Sequence, residues 1–542
     1  MLPIVYITAE VGLDCSLATY SGGLGVLSGD HVRSAADLGL PFTCVSLYYR
    51  EGYGQQRFDE SGQQHMYFPS TDPSDVLDPA GTVAINTVDG AIQLRVWKRR
   101  VEGTLGSVDV LFLDADLEEN PEAWRHVSRK LYGGDQALRL RQELVLGQGA
   151  IALGQARHDD RFQLHLNEGH CAMAPVAWQL SGQSEASIRS RCHFTTHTPV
   201  AAGHDRFSAD LWQELCTDSF QQVIASHLGT DELNMSHLAA HYAQQMNGVS
   251  KTNAEVAEPL FPGRSIEGLT NGIHHRKWCL PTMAALFDRH LEGWQANPEL
   301  LAQAARIPDN ELLAARQRSK EELCDYANAT TRSALRSDRL TLGFARRMTP
   351  YKRGNLLFHN PERLLEAAEK LGGLQVVFAG KSHPKDHQGQ AILRSIYEQG
   401  QLSGGLLRVV LIPDYSMWHG RLLTGGVDLW LNNPIRPLEA SGTSGMKASM
   451  QGVPNLSILD GWWVEGCEDN VNGFAFGSRL PERDDEGDAE ALYRCLIERV
   501  VPVWADPKAR LEMQKAAIAT AAHFTTERMV SEYNERYYRT AR

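Results

Sequence analysis

Leu340-Thr-Leu-Gly-Phe-Ala345 and Leu374-Gln-Val-Val-Phe-Ala379 are short apolar runs with a helical pattern between them. A run, a helix and a second run make a βαβ unit, which implies parallel strands covered by helices. The rhythm continues through Leu407–Ile412, Val427–Leu431 and Asn455–Ile458. Toward the N-terminus it recurs in Ile4–Glu10, Phe42–Tyr49, Val108–Leu113, Leu164–Asn167, Cys192–Thr196 and Ile266–Thr270. Helical patterns such as Asp30–Leu38 and Leu138–Ala156 lie between these runs. Thr82–Leu113 differs: apolar and polar residues alternate between turn signals, which predicts a local antiparallel insertion.

Two series of this kind predict an α/β chain with two doubly wound domains in tandem. The charged, helix-prone stretch Asn310–Leu335 reads as the linker, with the boundary near residue 320. The expected domains are 1–320, 321–484 and a helical C-terminal segment, 485–542, packing back on them. Ligands of such sheets bind outside the carboxyl ends of the strands, here in a cleft expected between the domains.

The 542 residues carry 53 Lys+Arg against 66 Asp+Glu, a net charge of −13. That balance argues against a nucleic-acid partner, which needs a basic footprint. No apolar stretch approaches the length of a membrane span, and the start, MLPIVYITAE, lacks the basic region of a signal peptide. The nine cysteines are scattered without a CxxC pair, which fits reduced thiols in a cytoplasm. With no HExxH and no Cys/His ligand spacing among the 20 histidines, no metal is expected.

Three segments that follow strands carry chemistry. Ser21-Gly-Gly-Leu-Gly25 precedes a helix pattern, where amide groups can cradle an anion; the same glycines equally suit a structural turn. Arg346-Arg347-Met-Thr-Pro-Tyr-Lys352-Arg353 gathers four cations after a strand, suited to phosphate or to a solvated surface. Pro437-Leu-Glu439-Ala-Ser-Gly-Thr-Ser-Gly-Met-Lys447 offers hydroxyl and amide donors at a helix start. Lys447 lies inside that helix, either exposed or placed to form an imine with an aldehyde cofactor. His197, in His193-Phe-Thr-Thr-His-Thr-Pro199, and His170, in Leu166-Asn-Glu-Gly-His170, also follow strands. Each is a structural histidine or part of a polar sugar pocket. Trp462-Trp463 and Tyr48-Tyr49 are core residues or carbohydrate platforms.

Together these motifs, with Tyr6-Ile-Thr-Ala-Glu10, Thr270-Asn-Gly-Ile273 and Trp278, resemble the α-glucan phosphorylase family. The likeness runs from Tyr6 to about Glu465, and its most specific part is Glu439 through Lys447. It implies a GT-B fold, two Rossmann-like domains facing a central cleft. It also implies reversible, retaining phosphorolysis of α-1,4-glucan (glycogen or maltodextrin) to α-D-glucose 1-phosphate. Pyridoxal 5'-phosphate is the implied cofactor, its phosphate exchanging a proton with the substrate phosphate. No pair of protein carboxylates is then required, unlike ordinary glycosidases.

By the same resemblance, Lys447 holds the cofactor as a Schiff base. Arg346, Tyr415, Thr443 and Ser444 surround the cofactor phosphate, and Trp278 packs near its ring. Arg347, Lys352 and the Gly23 amide grip the substrate phosphate. Asn271 and Glu439 contact glucose hydroxyls, and His197 lies near the reacting sugar. Asp135 matches an acidic residue on a gating loop. Leu24, His170, Ser441 and Gly442 fall beside these in the same motifs and are expected to line the substrate site.

The chain departs from the long family members in several places. Gly12 stands for a Tyr, Ser416 for an Arg, Ser444 for a Gly and Glu168 for an Asp, and the gate after Asp135 is shorter. These changes resemble the divergent bacterial and archaeal branch. The long N-terminal extension of the regulated animal enzymes is absent, so neither control through it nor the full dimer interface is expected; the chain is expected as a monomer or homodimer. Other readings are a nucleotide-sugar GT-B synthase and an inert glucan-binding protein. The synthases carry a second carboxylate eight residues after the first, where this chain has Lys447.

Overall fold

The computed structural model describes residues 1–539. They form two compact units. The first holds Met1–Gly54, Phe68–Thr270 and the chain from Thr526; the second holds Gln55–Tyr67 and Asn271–Thr525.

The first unit is built on a nine-stranded sheet. Its spatial order is Glu267–Gly268, Gln245–Gly248, Cys192–Thr196, Gln163–Asn167, Ile4–Ile7, Phe42–Leu47, Ser107–Asp114, Gly90–Glu102 and Asp78–Thr87. The first seven pair in parallel, and the last two join antiparallel at the edge. The central strand, Ile-Val-Tyr-Ile, is buried at every residue, as a strand covered on both faces must be. Gly90–Glu102 instead alternates buried and exposed residues over much of its length, so the insertion expected at Thr82–Leu113 is present. Chain order reverses at Ile4–Ile7, which makes the loop after that strand a topological switch point.

The second unit carries six parallel strands in the order Leu407–Ile412, Leu374–Ala379, Leu340–Ala345, Leu429–Asn432, Asn455–Ile458 and Gly473–Phe476. Its switch point lies between Leu340–Ala345 and Leu429–Asn432. The segments beginning at Arg346 and Asn433 leave the sheet there.

The division of the chain differs from the expected boundary at 320. That position falls inside the helix Asp309–Thr331, which buries Leu312, Ala315, Leu323 and Ala327 and packs against Met417–Gly426 of the second unit. The unit therefore begins at Asn271. The hairpin Gln55–Phe58/Gln64–Tyr67 also belongs to it. Gln56 donates its backbone N–H to Asp414 at 2.9 Å and its side-chain amide to the Gly380 carbonyl at 2.8 Å.

The expected C-terminal segment 485–542 is helical but divided. Asp485–Ala521 stays with the second unit, while Thr526–Tyr538 returns to the first and buries Met529, Val530, Tyr533, Tyr537 and Tyr538 beside Ile4, Tyr6 and Phe42. Residues 540–542 of that segment lie outside the described residues. Among the described residues no helix is long and apolar enough to cross a membrane.

Candidate active site

In the first unit the loop after Ile4–Ile7 is held by one buried carboxylate. Glu10 Oε2 accepts the backbone N–H of Ser21 at 2.6 Å and of Gly22 at 3.2 Å, and Tyr132 donates its hydroxyl to Oε1 at 3.0 Å. The helix Gly23–Asp37 starts immediately after. Its first-turn amides, those of Gly23 and Leu24 among them, have no intrahelical acceptor and suit an anion. Two glycines of the helix are imposed by contact. A Cβ on Gly29 would lie 2.0 Å from the Gly12 carbonyl oxygen, and one on Gly25 would lie 2.7 Å from both Glu10 Oε2 and Tyr20 Cβ. Gly23 is exposed, with nothing within 4 Å of its Cβ position.

Two neighbouring strands end beside this switch point. Asn167 donates through Nδ2 to Thr8 Oγ1 and Ser28 Oγ, both at 3.1 Å, so its Oδ1 accepts from His197 Nε2 at 2.7 Å. Burial pulls the His197 pKa down to about 3. The ring is neutral, with its proton on Nε2, and Nδ1 remains as an acceptor. Glu168 adopts φ 83°, ψ 165°, a region nearly confined to glycine. Its carboxylate compensates by taking the N–H groups of Gly169 (3.0 Å) and His197 (2.7 Å) and the Thr198 hydroxyl (3.1 Å).

In the second unit the two motifs, Arg346–Arg353 and Pro437–Lys447, meet on Glu439. Arg346 donates to its Oε2 and to Asn432 Oδ1. Lys352 Nζ lies 3.6 Å from Oε1. Burial, and then repulsion from Arg346, lowers the Lys352 pKa to about 7, with Glu439 pulling the other way. Burial would raise Glu439, but Arg346 and Lys352 outweigh it and hold the carboxylate below its usual range. The Glu439 backbone N–H donates to Asp460 Oδ2 at 2.9 Å; burial lifts Asp460 to about 7.

The helix Thr443–Met450 follows, entered through Gly442 at φ 85°. Ser441 Oγ is buried without a hydrogen-bond partner, and Ser444 Oγ accepts the Trp430 indole N–H at 3.2 Å. Lys447 is 7% exposed, with Nζ 3.6 Å from the centre of the Trp278 ring. A Cβ on Gly420 would meet the Tyr415 hydroxyl at 2.9 Å and the Trp278 ring at 3.5 Å, so both side chains border one spot. A buried amine, a helix N-terminus and an orphaned hydroxyl form a set that fits a phosphorylated aldehyde.

Residues 200–494 match the family model described as carbohydrate phosphorylase. The chain belongs to the carbohydrate phosphorylase family. It is 34% identical to the maltodextrin phosphorylase of Thermococcus litoralis, over 99% of this chain and 71% of that protein. It is 33% identical to the glycogen phosphorylase of Mycobacterium tuberculosis, again over 99% and 71%. It is 32% identical to that of Aquifex aeolicus, over 99% and 86%.

The sites expected for such a phosphorylase fall on both units. Gly23, Leu24, Asp135, His170 and His197 lie on the first; Asn271, Trp278, Arg346, Arg347, Lys352, Tyr415, Glu439, Ser441, Gly442, Thr443, Ser444 and Lys447 lie on the second. Arg347 is exposed, and Asn271 is buried. Two first-unit residues have structural tasks. His170 is 3% exposed, and its Nε2 accepts the Ala9 N–H at 3.1 Å. Asp135 caps the helix Gln136–His158, accepting the Leu138 N–H at 2.8 Å. Trp462, Trp463, Tyr48 and Tyr49 are all at most 2% exposed and are core residues, not platforms. Sequence reasoning missed Glu10, Asn167, Asn432 and Asp460 as supports. Each lies in or beside a strand end, which is the signal that could have found them.

Proposed function

We propose that this phosphorylase cleaves the terminal α-1,4 bond of glycogen or maltodextrin with inorganic phosphate, reversibly and with retention, releasing α-D-glucose 1-phosphate. The arrangement of Lys352, Arg346 and Glu439 carries this reading. Two buried cations share one carboxylate, leaving net positive charge beside a helix start, as an anionic substrate needs. A bound dianion raises the Lys352 pKa again, so phosphate is gripped by the charged amine. Arg347 adds a third cation. Glu439, with both oxygens ordered, accepts hydrogen bonds from glucose hydroxyls, as does Asn271.

Pyridoxal 5'-phosphate, when bound, supplies a second phosphate that gives and takes a proton. Lys447 anchors it, Trp278 supports its ring, and Thr443, Ser444, Tyr415 and Arg346 hold its phosphate. On the first unit, the Gly23 amide at the helix start offers a phosphate donor. The neutral His197 serves as a sugar contact that takes up no proton near pH 7.

The test is glucose 1-phosphate release from maltooligosaccharides with and without phosphate. Release that requires phosphate, and vanishes in Lys447→Arg, supports the reading. Phosphate-independent hydrolysis, or transfer from a nucleotide sugar, overturns it.

A further inference from the structure

Three side chains distant in sequence meet on the helical layer of the first unit, apart from the residues discussed so far. Glu185 begins the helix Glu185–Arg189, His227 lies at the end of Asp218–Leu228, and His241 lies at the end of Met235–Tyr242. His241 Nε2 stands 3.0 Å from Glu185 Oε1, and His227 Nε2 stands 3.8 Å from Oε2. One ligand atom from each residue lies within 4.8 Å of the other two.

The His227 side chain is only 10% exposed, and its Nε2 is buried without a hydrogen-bond partner. A buried polar atom left so is costly, and here it is aimed at a carboxylate and a second imidazole. The two rings stack at 4.1 Å, and the edge of Tyr242 packs against both, closing one side. Arg189 Nη1, 3.8 Å from Glu185 Oε1, is the charge that competes for the carboxylate.

We propose that Glu185, His227 and His241 bind one divalent transition-metal ion of the zinc class. Two imidazoles and one carboxylate suit zinc, whereas calcium and magnesium prefer all-oxygen sites. Ligand distances of about 2.0–2.2 Å require the three side chains to draw inward around the ion, and water completes its shell. Glu185 is 35% exposed and has room to swing. The ion clips three helices together. The last of them, Met235–Tyr242, runs into the strand Gln245–Gly248, which pairs with Cys192–Thr196 just before His197. The role is therefore a brace behind the first-unit site, not a catalytic one. No ligand spacing announced it, because each ligand comes from a different helix.

The test is titration of EDTA-stripped full-length protein with zinc ion against a chromogenic chelator, alongside thermal unfolding. All forms carry Cys15→Ser, because that exposed thiol also takes zinc. The parent should bind one equivalent, and its melting temperature should climb with zinc concentration. His227→Ala and His241→Ala should lose both effects while keeping phosphorolysis. If either fails to fold, Glu185→Gln, which alters the most exposed ligand, should show the same loss. No binding by the parent, or an equivalent retained in all variants that fold, overturns the proposal.

Discussion

Lys447 Nζ stands 3.6 Å from the centre of the Trp278 ring, inside a pocket that leaves the lysine 7% exposed. An ammonium over an indole face gains about 2 kcal/mol or more once water is excluded. The ring thus fixes the position of the amine. Lys447→Arg keeps the cation and should keep the fold, yet has no amine to react. Borohydride reduction after incubation with pyridoxal 5'-phosphate should label wild type at Lys447 and leave Lys447→Arg unlabelled. Trp278→Leu should still be labelled, at a higher cofactor concentration. Equal labelling of the arginine variant would remove Lys447 from its assigned role.

With Lys352 in its proposed role at the substrate phosphate, its pKa sets a pH limit on phosphate use. Burial brings its pKa to about 7, so above that pH the free protein holds a neutral amine. Phosphate binding must then take up a proton, and the KM for phosphate should rise with pH, by at most about tenfold per unit. Phosphate's own ionisation is common to all variants and cancels in a comparison. Lys352→Arg stays charged and should lose the rise, whereas Lys352→Ala should spare the cofactor and raise KM at every pH. Superimposable KM profiles for wild type and Lys352→Arg, from pH 6 to 9, would sink the assignment.

The helix Gly23–Asp37 holds, within seven residues, a glycine imposed by packing and one proposed as a phosphate donor. At Gly29 an added methyl meets the Gly12 carbonyl oxygen at 2.0 Å, and backbone cannot yield cheaply. Gly29→Ala should destabilise by about 1–3 kcal/mol or more. Gly23→Ala meets nothing within 4 Å and should leave the melting temperature unchanged. It should still raise the KM for phosphate, because the methyl crowds an anion approaching the helix N-terminus. Unchanged phosphate kinetics in Gly23→Ala would remove that amide from the phosphate site.

The strands were legible where burial on both faces demands unbroken apolar runs, as in Leu340–Ala345 and Leu374–Ala379. Gln245–Gly248 was not, because its sequence Gln-Met-Asn-Gly is polar; Asn247 is buried by bonding to His193 and Tyr533. The boundary near 320 failed for a related reason. A helix covering a sheet needs only a narrow apolar stripe, and Asp309–Thr331 hides its stripe among charges. The hairpin at Gln55–Tyr67 joins the second unit through contacts more than 300 residues away in sequence, which no local pattern reports. The grouping of Arg346, Lys352 and Glu439 was legible because the cations and the carboxylate each directly follow a strand, and parallel strands of one sheet bring those ends together. The Glu168 backbone was not, since its positive φ is imposed by the Gly169, His197 and Thr198 groups its own carboxylate gathers.

Acid should attack the first unit through its buried imidazoles. His31, His165 and His193 lie against Tyr6, Tyr533 and Tyr538, and His165 is bonded through Nδ1 to the Tyr538 hydroxyl at 2.7 Å and through Nε2 to Thr195 Oγ1 at 2.8 Å. Burial, followed for His31 and His165 by repulsion from His193, lowers His31 to about 3, His193 to about 4 and His165 well below its usual value. The unfolded chain takes up these protons near pH 6.5, whereas the folded one refuses them. Stability from this source is full above pH 6.5 and drains as pH falls toward 4, at about 1.4 kcal/mol per pH unit for each histidine. His193→Gln can still donate to Asn247 but does not titrate, so denaturant midpoints measured between pH 7 and 4.5 should fall less steeply, by about a third of this contribution. The same protons strike where Thr526–Tyr538 is anchored, so that helix should become sensitive to protease before the sheet does. An unaltered slope in His193→Gln would place the acid sensitivity elsewhere, in carboxylates such as Glu439 whose pKa folding lowers.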